Sequence, residues 1–461
     1  MGRTMRRFEI VLLAAVCSVG LVACSGCGGK DNPQGPVGKT SQFFLPTGSP
    51  RNVGDPHVQT DAQGNFHFVY PAYSQGDAYY GFCPSNCGSA EQVKVVQLKT
   101  QGAVDNARVM VGPEGKPQLL LNTYERLYYG SCTGDCTQSA SWQVTPILEY
   151  DARARREVSG DTFALTPQGK PRFLLHAFRS LAPGSYETGT YYVQCDSDCQ
   201  KPESWTAARI SEKNWVMGSM RFTPSGQPRL VKAELMQGGI YMASYYECDG
   251  DCTAAANWKG TELYRAFFSA TEAVWMHAAL SLRLTSQGTP RVALLGDDGQ
   301  GRNLVYLECD ANCGAEAGWF GQILLPSSGG GERLKAGIDL ALDDQGRPRI
   351  AYAADFNILM ATCDANCSDE KKSDWKLAKV EFASDMKTDQ IIPYPDCNVA
   401  GGWFLHSPSM VLGKEGLPRV AYRAQDISGG GSNPAPGEIR CVAGPDMTFA
   451  RFTQLDEIRT L

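Results

Sequence analysis

Beyond residue 40 the apolar residues alternate with polar ones in short runs. Ile338-Asp-Leu-Ala-Leu342 has the period of two that places every second side chain on one face of a half-buried strand. Asp343-Asp-Gln-Gly346 interrupts it as a turn. Pro348-Arg-Ile-Ala-Tyr352 resumes it, with proline at the first strand position, where a missing N–H is tolerated. Ile358–Cys363 and Trp375–Glu381 make a third and a fourth strand. The unit recurs, tagged by a Gly-x-Pro turn between its first two strands. The tag glycines are Gly64, Gly115, Gly169, Gly226, Gly288, Gly346 and Gly416, and proline follows two residues later except in the first copy, where Phe66 stands. An isolated four-stranded sheet of this size cannot bury its faces, so the repeats must pack on one another. The pattern predicts an all-β fold, a seven-bladed β-propeller of four-stranded antiparallel blades over residues 41–461. A β-helix is disfavoured, because its coils are much shorter than these repeats.

Six repeats carry Cys-x-x-x-Cys between the third and fourth strands: Cys83/Cys87, Cys132/Cys136, Cys195/Cys199, Cys248/Cys252, Cys309/Cys313 and Cys363/Cys367. The residue before the second cysteine is Asn86, Asp135, Asp198, Asp251, Asn312 or Asn366. A three-residue hairpin loop ends in a left-handed residue, a conformation that Asn and Asp tolerate best among non-glycines. The flanking cysteines then face each other across the hairpin, and six disulfides are expected. Zinc does not suit them: each hairpin offers two thiolates where a structural site takes four ligands, and the chain has 5 histidines. No metal or cofactor is expected. In the seventh repeat, Cys397 and Cys441 are left to pair, and Cys27 is an odd thiol. A tryptophan follows most hairpins (Trp142, Trp205, Trp258, Trp319, Trp375), and a tyrosine precedes most (Tyr80, Tyr129, Tyr192, Tyr245, Tyr306). Both series read as packing between blades rather than as a ligand cage.

Two segments compete for the outer strand of the last blade, Phe43-Phe44-Leu45 and Phe449–Leu455. The spacing from Cys441 favours the C-terminal segment, with Glu438–Cys441 as third strand and Phe43-Phe44 packed alongside.

The N-terminus has a different pattern. Arg3, Arg6 and Arg7 precede a nearly unbroken apolar run, Ile10–Ala23, too short for a comfortable membrane span. The run ends in Leu21-Val22-Ala23-Cys24, which resembles the bacterial lipobox. The resemblance implies a lipoprotein signal peptide over residues 1–23, acylation of Cys24, and export with anchoring to a membrane, expected to be the outer membrane. Residues 24–40, rich in Gly, Pro and Asn, form a tether. The chain carries a net charge of −6, and removal of the basic signal leaves it more acidic, which excludes nucleic acid as a partner. Asp343-Asp-Gln-Gly346 and Asp61-Ala-Gln-Gly64 resemble the bacterial Asp-box (BNR-like) propeller repeats in keeping an Asp and the Gly. The Thr-Trp that follows in the sialidase motif is missing from all seven copies, so this resemblance implies architecture and not activity.

The Gly-x-Pro and Cys-x-x-x-Cys turns share one face of the disc, while the other face carries connections of widely varying length. Binding residues concentrate on variable loops held by a rigid scaffold, so the functional face is expected opposite the staples. Just before the innermost strands stand His57, Arg155, Arg156, Trp215, Trp275, His277, Arg333, Trp403 and His406. Of these, Trp215, Trp275, His277, Trp403 and His406 are the candidate ligand-binding residues. Arg172, Arg229, Arg291, Arg349 and Arg419 form a further set, expected as a solvated rung pairing with turn acids. No Gly-x-Ser-x-Gly, His-Glu-x-x-His or P-loop occurs, and no catalytic residue can be named. The function expected is that of a monomeric, lipid-anchored binding or scaffold protein that recognises a protein or glycan. The alternative is a propeller-type glycoside hydrolase or lyase of the sialidase kind.

Overall fold

The computed structural model describes residues 41–47, 53–72, 77–150, 154–182, 185–213, 215, 217–235, 240–267, 279–297, 302–326, 334–386, 403–413, 415–426 and 448–461. Among them are seven antiparallel sheets, the blades of a β-propeller. Blade 1 runs His57–Thr60, Phe66–Ala72, Asp77–Cys83 and Lys94–Lys99, from the axis outward. Blade 2 is Val104–Val111, Pro117–Thr123, Arg126–Cys132 and Trp142–Glu149. In blade 3 the inner position is split between Ala154–Val158 and Ala164–Leu165, which pair with the two ends of Pro171–Ala182. Ser185–Cys195 and Trp205–Ser211 complete it. Blade 4 is Met217–Phe222, Pro228–Leu235, Ile240–Glu247 and Lys259–Phe267; blade 5 is Leu280–Leu284, Pro290–Asp297, Arg302–Glu308 and Phe320–Pro326. Blade 6 is Leu334–Leu342, Pro348–Ala354, Asn357–Thr362 and Lys376–Glu381.

The last blade corrects the expected ring closure. Trp403–Leu412 and Pro418–Asp426 are followed by Thr448–Gln454 as the third strand, and the outer strand is Ser41–Phe44. The register runs from Ser41 opposite Gln454 to Phe44 opposite Arg451. Phe449 therefore sits one strand further in than its spacing from Cys441 implied, and the ring is closed by an exchange of strands between the two ends of the chain. Composition explains the choice. Phe449, Ala450, Phe452 and Thr453 are all buried, as a strand flanked on both sides must be, while Ser41-Gln-Phe-Phe buries only Phe43 fully, as befits an edge. Residues 438–441 and 397 lie outside the described residues, so the Cys397–Cys441 pairing does too.

All six hairpin cysteine pairs are at disulfide distance. Cys83–Cys87, Cys132–Cys136, Cys195–Cys199, Cys248–Cys252, Cys309–Cys313 and Cys363–Cys367 have Cα–Cα separations of 5.6 to 5.8 Å. Identical spacing does not make the staples equivalent. The first cysteine is buried in every hairpin, and so are Cys87 and Cys367 among the second ones. Cys136, Cys199, Cys252 and Cys313 are only half-buried. The staples of blades 2 to 5 thus stand nearer to solvent than those of blades 1 and 6. The left-handed residue occurs as expected at Asp198, Asn312 and Asn366. Asp135 and Asp251 work differently: each accepts a hydrogen bond from the backbone N–H two residues on, at Thr137 and Thr253.

Trp142, Trp205, Trp258, Trp319 and Trp375 donate their indole N–H to the carbonyls of Cys136, Cys199, Cys252, Cys313 and Cys367, at 2.8 to 2.9 Å. Each ring packs on the tyrosine of the preceding blade, as in Tyr80–Trp142 at 4.6 Å and Tyr306–Trp375 at 5.2 Å. The two sequence series thus meet as one contact repeated around the disc.

The Pro-Arg arginines are not solvated rungs. Arg172, Arg349 and Arg419 are buried, and each reaches the end of the third strand. Arg172, Arg229, Arg291 and Arg349 pair with the acid after the first cysteine, Asp196, Asp249, Asp310 and Asp364, at 2.6 to 2.8 Å. Arg172 and Arg349 also donate to the carbonyl of that cysteine. They brace the staple hairpins from within the same blade.

Candidate functional site

The inner strands converge on a channel lined by polar residues. One residue stands at the same place before the tag glycine in each repeat: His57, Arg108, Thr162, Ser219, Ser281, Asp339 and Ser409. Five of these side chains accept a hydrogen bond from the backbone N–H of the next blade. The pairs are Ser409 from Val58, His57 from Val109, Ser219 from Leu282, Ser281 from Leu340, and Asp339 from Met410, at 2.8 to 3.3 Å. Between blades 3 and 4 the backbone does this work, with Met220 N–H donating to the Asp161 carbonyl.

Asp161 stands where the inner strand of blade 3 breaks, and there its backbone pairs with Gly218 and Met220 of blade 4 instead of with its own blade. Arg221 bonds its carboxylate, with His57 Nε2 at 3.6 Å, Arg283 at 3.7 Å and Arg108 at 4.0 Å. Burial would raise the Asp161 carboxyl, but Arg221, His57 and Arg283 together hold it well below the usual range. Arg283 also pairs with Asp339 at 2.7 Å. His57 accepts at Nδ1, so its proton is on Nε2, facing Asp161. Burial, assisted by Arg108, outweighs Asp161 and lowers the His57 pKa, so the ring is neutral at pH 7.

The two ends of the channel differ. On the staple face it opens into a funnel of about 610 Å³, walled by Met110, Leu284, Leu342, Met410 and Val411, with Arg221 and Arg283 at its floor. Those arginines are already matched by Asp161 and Asp339. On the loop face a cleft of about 40 Å³ is rimmed by Asp55, Pro56, Ser407 and Pro408, above Arg108 and Asp161. Here Arg423 pairs with Asp55 at 3.5 Å. Burial would raise the Asp55 carboxyl, yet Arg423, His406 and Ser407 keep it below the usual range. Ser407 sits at φ 53°, a left-handed conformation, against Gly337 of blade 6, where a Cβ would lie 2.7 Å from the Ser407 Cα. Its hydroxyl is 3.0 Å from His406 Nδ1. Burial lowers the His406 pKa to about 4; Asp55 pulls it up and Arg423 down. The cleft is thus lined by Asp55 and Arg108, with Arg423 paired to Asp55 and the uncharged His406 imidazole buried behind Ser407.

Of the sequence-derived candidates, His406 is fully buried directly behind Ser407 of this mouth. Trp215 is buried against Tyr246 at 5.0 Å, with the Lys232 ammonium 4.8 Å above its ring. Trp403 is buried between blade 6 and the outer strand of blade 7, packed on Phe44 and Phe449. Both tryptophans are therefore blade-interface residues. Trp275, His277, Arg333 and Cys24 lie outside the described residues, and Arg155 and Arg156 lie on the strand Ala154–Val158. Asp55, Arg108, Asp161, Arg423 and Ser407 were missed. Alignment of the repeats on the tag glycine would have found Arg108, because that column is polar in every blade.

No protein-family model matches the chain, and no curated protein matches it. Solved structures do resemble it. The polysaccharide lyase Uly1 is 9% identical with a TM-score of 0.49, over 89% of this chain and 92% of that one. An ulvan lyase of a polysaccharide lyase family, PL25, is 12% identical with a TM-score of 0.45, over 70% and 78%. A protein of unknown function from Dyadobacter fermentans is 11% identical with a TM-score of 0.43, over 91% and 98%. At such identities the likeness is one of fold.

Proposed function

We propose that this chain is a carbohydrate-active propeller that takes an acidic polysaccharide at its loop-face channel mouth and cleaves it as a lyase. The observation that carries the reading is the grouping of Asp55 and Arg108 in that mouth with Arg423 and the uncharged His406 directly behind them. A guanidinium fork matches the planar carboxylate of a uronic acid in two parallel hydrogen bonds. Hydrolysis would need a carboxyl held protonated as general acid. Asp55 and Asp161 are both pushed the other way. Elimination needs instead a cation on the substrate carboxylate, a neutral base to take the proton on the carbon beside it, and a proton for the glycosidic oxygen that departs. Arg423 would supply the first, His406, lowered to about 4, the second, and solvent at the open mouth the third. His406 lies one hydrogen bond behind the Ser407 hydroxyl, so it would reach the cleft through that hydroxyl. Export and lipid anchoring through Cys24 belong to the same proposal, since a polymer substrate is met outside the cell.

One observation favours a second reading, that of a binding and display protein: His406 is fully buried. Incubating the 41–461 fragment with polygalacturonate, alginate and glucuronan distinguishes the two. The ultraviolet absorbance of an unsaturated uronate product supports the lyase. Binding without such a product supports display, and neither binding nor turnover defeats both.

A further inference from the structure

Blade 6 joins its second and third strands by the two-residue turn Asp355-Phe356, with Ala354 paired to Asn357. Both turn residues have positive φ, 47° and 70°. Such a turn strongly prefers Asn or Asp followed by Gly. Asp355 fits; a phenylalanine in the second place is strained. The strain holds an aromatic ring outward, for Phe356 is 44% exposed. The turn is braced by Leu405 N–H donating to the Phe356 carbonyl at 3.0 Å. From there a line of rings runs inward. Phe356 meets Phe404 edge-on at 5.7 Å, and Phe404 stacks on His406 at 4.7 Å. The line ends at the Asp55–Arg423 mouth.

We infer that Phe356 and Phe404 form a stacking subsite for one pyranose ring of the acidic glycan held at the mouth, an inference that rests on the function proposed above. A pyranose has one apolar C–H face and a polar rim. The line of rings offers it an apolar surface with charged groups at one end. A protein partner would need a far larger apolar area than one exposed ring. The strained turn keeps that ring outside the core, where a relaxed Gly would leave nothing to stack upon.

The test uses the 41–461 fragment and galacturonate, glucuronate and guluronate oligomers, with affinity by calorimetry and stability by thermal melting. Phe356→Gly relieves the strain, so melting should rise by about 1–2 °C, while affinity for the oligomer that binds falls about tenfold. Unchanged affinity in Phe356→Gly, with binding lost in Arg423→Ala, overturns the subsite and leaves the mouth standing. A lowered melting temperature in Phe356→Gly identifies the ring as a packing element and also overturns the subsite. Failure of the unaltered fragment to bind any of the three overturns the mouth reading and the subsite with it.

Discussion

The Arg451 guanidinium, on the third strand of the last blade, is bonded through Nε and Nη2 to the Glu381 carboxylate at the outer edge of blade 6. Both are buried, and the Tyr422 hydroxyl also donates to Glu381. The pair fixes blade 7 against its neighbour at the blade where the ring is closed. Glu381→Gln leaves a buried cation poorly matched and should cost about 3–5 kcal/mol in chemical denaturation. Replacing both residues with apolar ones of similar volume should cost much less. Equal losses for the single and the double replacement would refute this account.

Removing residues 41–45 should open the ring. Phe43 and Leu45 are buried, and Phe43 packs on Phe452 at 5.7 Å. Burial of two such side chains contributes about 3–6 kcal/mol. Their loss also exposes the Thr448–Gln454 edge to pairing between molecules. The expected result is a lower melting temperature and concentration-dependent aggregation, read by light scattering. A fragment that starts at residue 46 and melts unchanged would contradict it.

Stability should fall as the solution is acidified from neutrality. His406 is lowered to about 4 by burial, and burial also lowers His57 and His67. In the unfolded chain these rings take up protons near pH 6.5. Stability is therefore full above that pH and declines as pH falls toward 4, where His406 alone accounts for about 3 kcal/mol. Denaturation midpoints measured from pH 7.5 to 4.5 check this. His406→Gln should flatten the slope, and an unchanged slope would show that other groups dominate.

Peptide mapping without reduction should recover the six hairpin disulfides together with a Cys397–Cys441 link. A bridge between blades, or free thiols at 397 and 441, would break the cysteine scheme.

Cys24→Ser should leave the protein unacylated and move it from the detergent phase to the aqueous phase. Unchanged partitioning would dismiss the lipid anchor.

Architecture was legible in the chain because a propeller repeats its local instructions. The tag glycines, all with positive φ, and the paired cysteines mark the same two turns in nearly every blade. Register followed from alternation, as in Ile338–Leu342. The closure was misjudged because it depends on a pairing between residues 41–44 and 451–454, which no local spacing encodes. The mouth was harder still. Asp55 precedes a strand and Arg423 ends deep within one, and neither differs in its neighbours from other acids and arginines of the chain. What joins them is the curvature of the ring. Aromatic residues misled for a related reason: Trp403 begins an inner strand as a loop residue might, yet its ring turns back into the blade interface.

The direction of the outer strand of the last blade carries one more consequence. Ser41 enters beside the staple of blade 1, where Gln454 bonds the Cys87 carbonyl, and the chain then climbs toward Phe44 and the opposite face. The strand that closes the ring thus starts on the stapled face and runs toward the face that carries the Asp55–Arg423 mouth, so the last residues to be pinned down join the two sides of the disc.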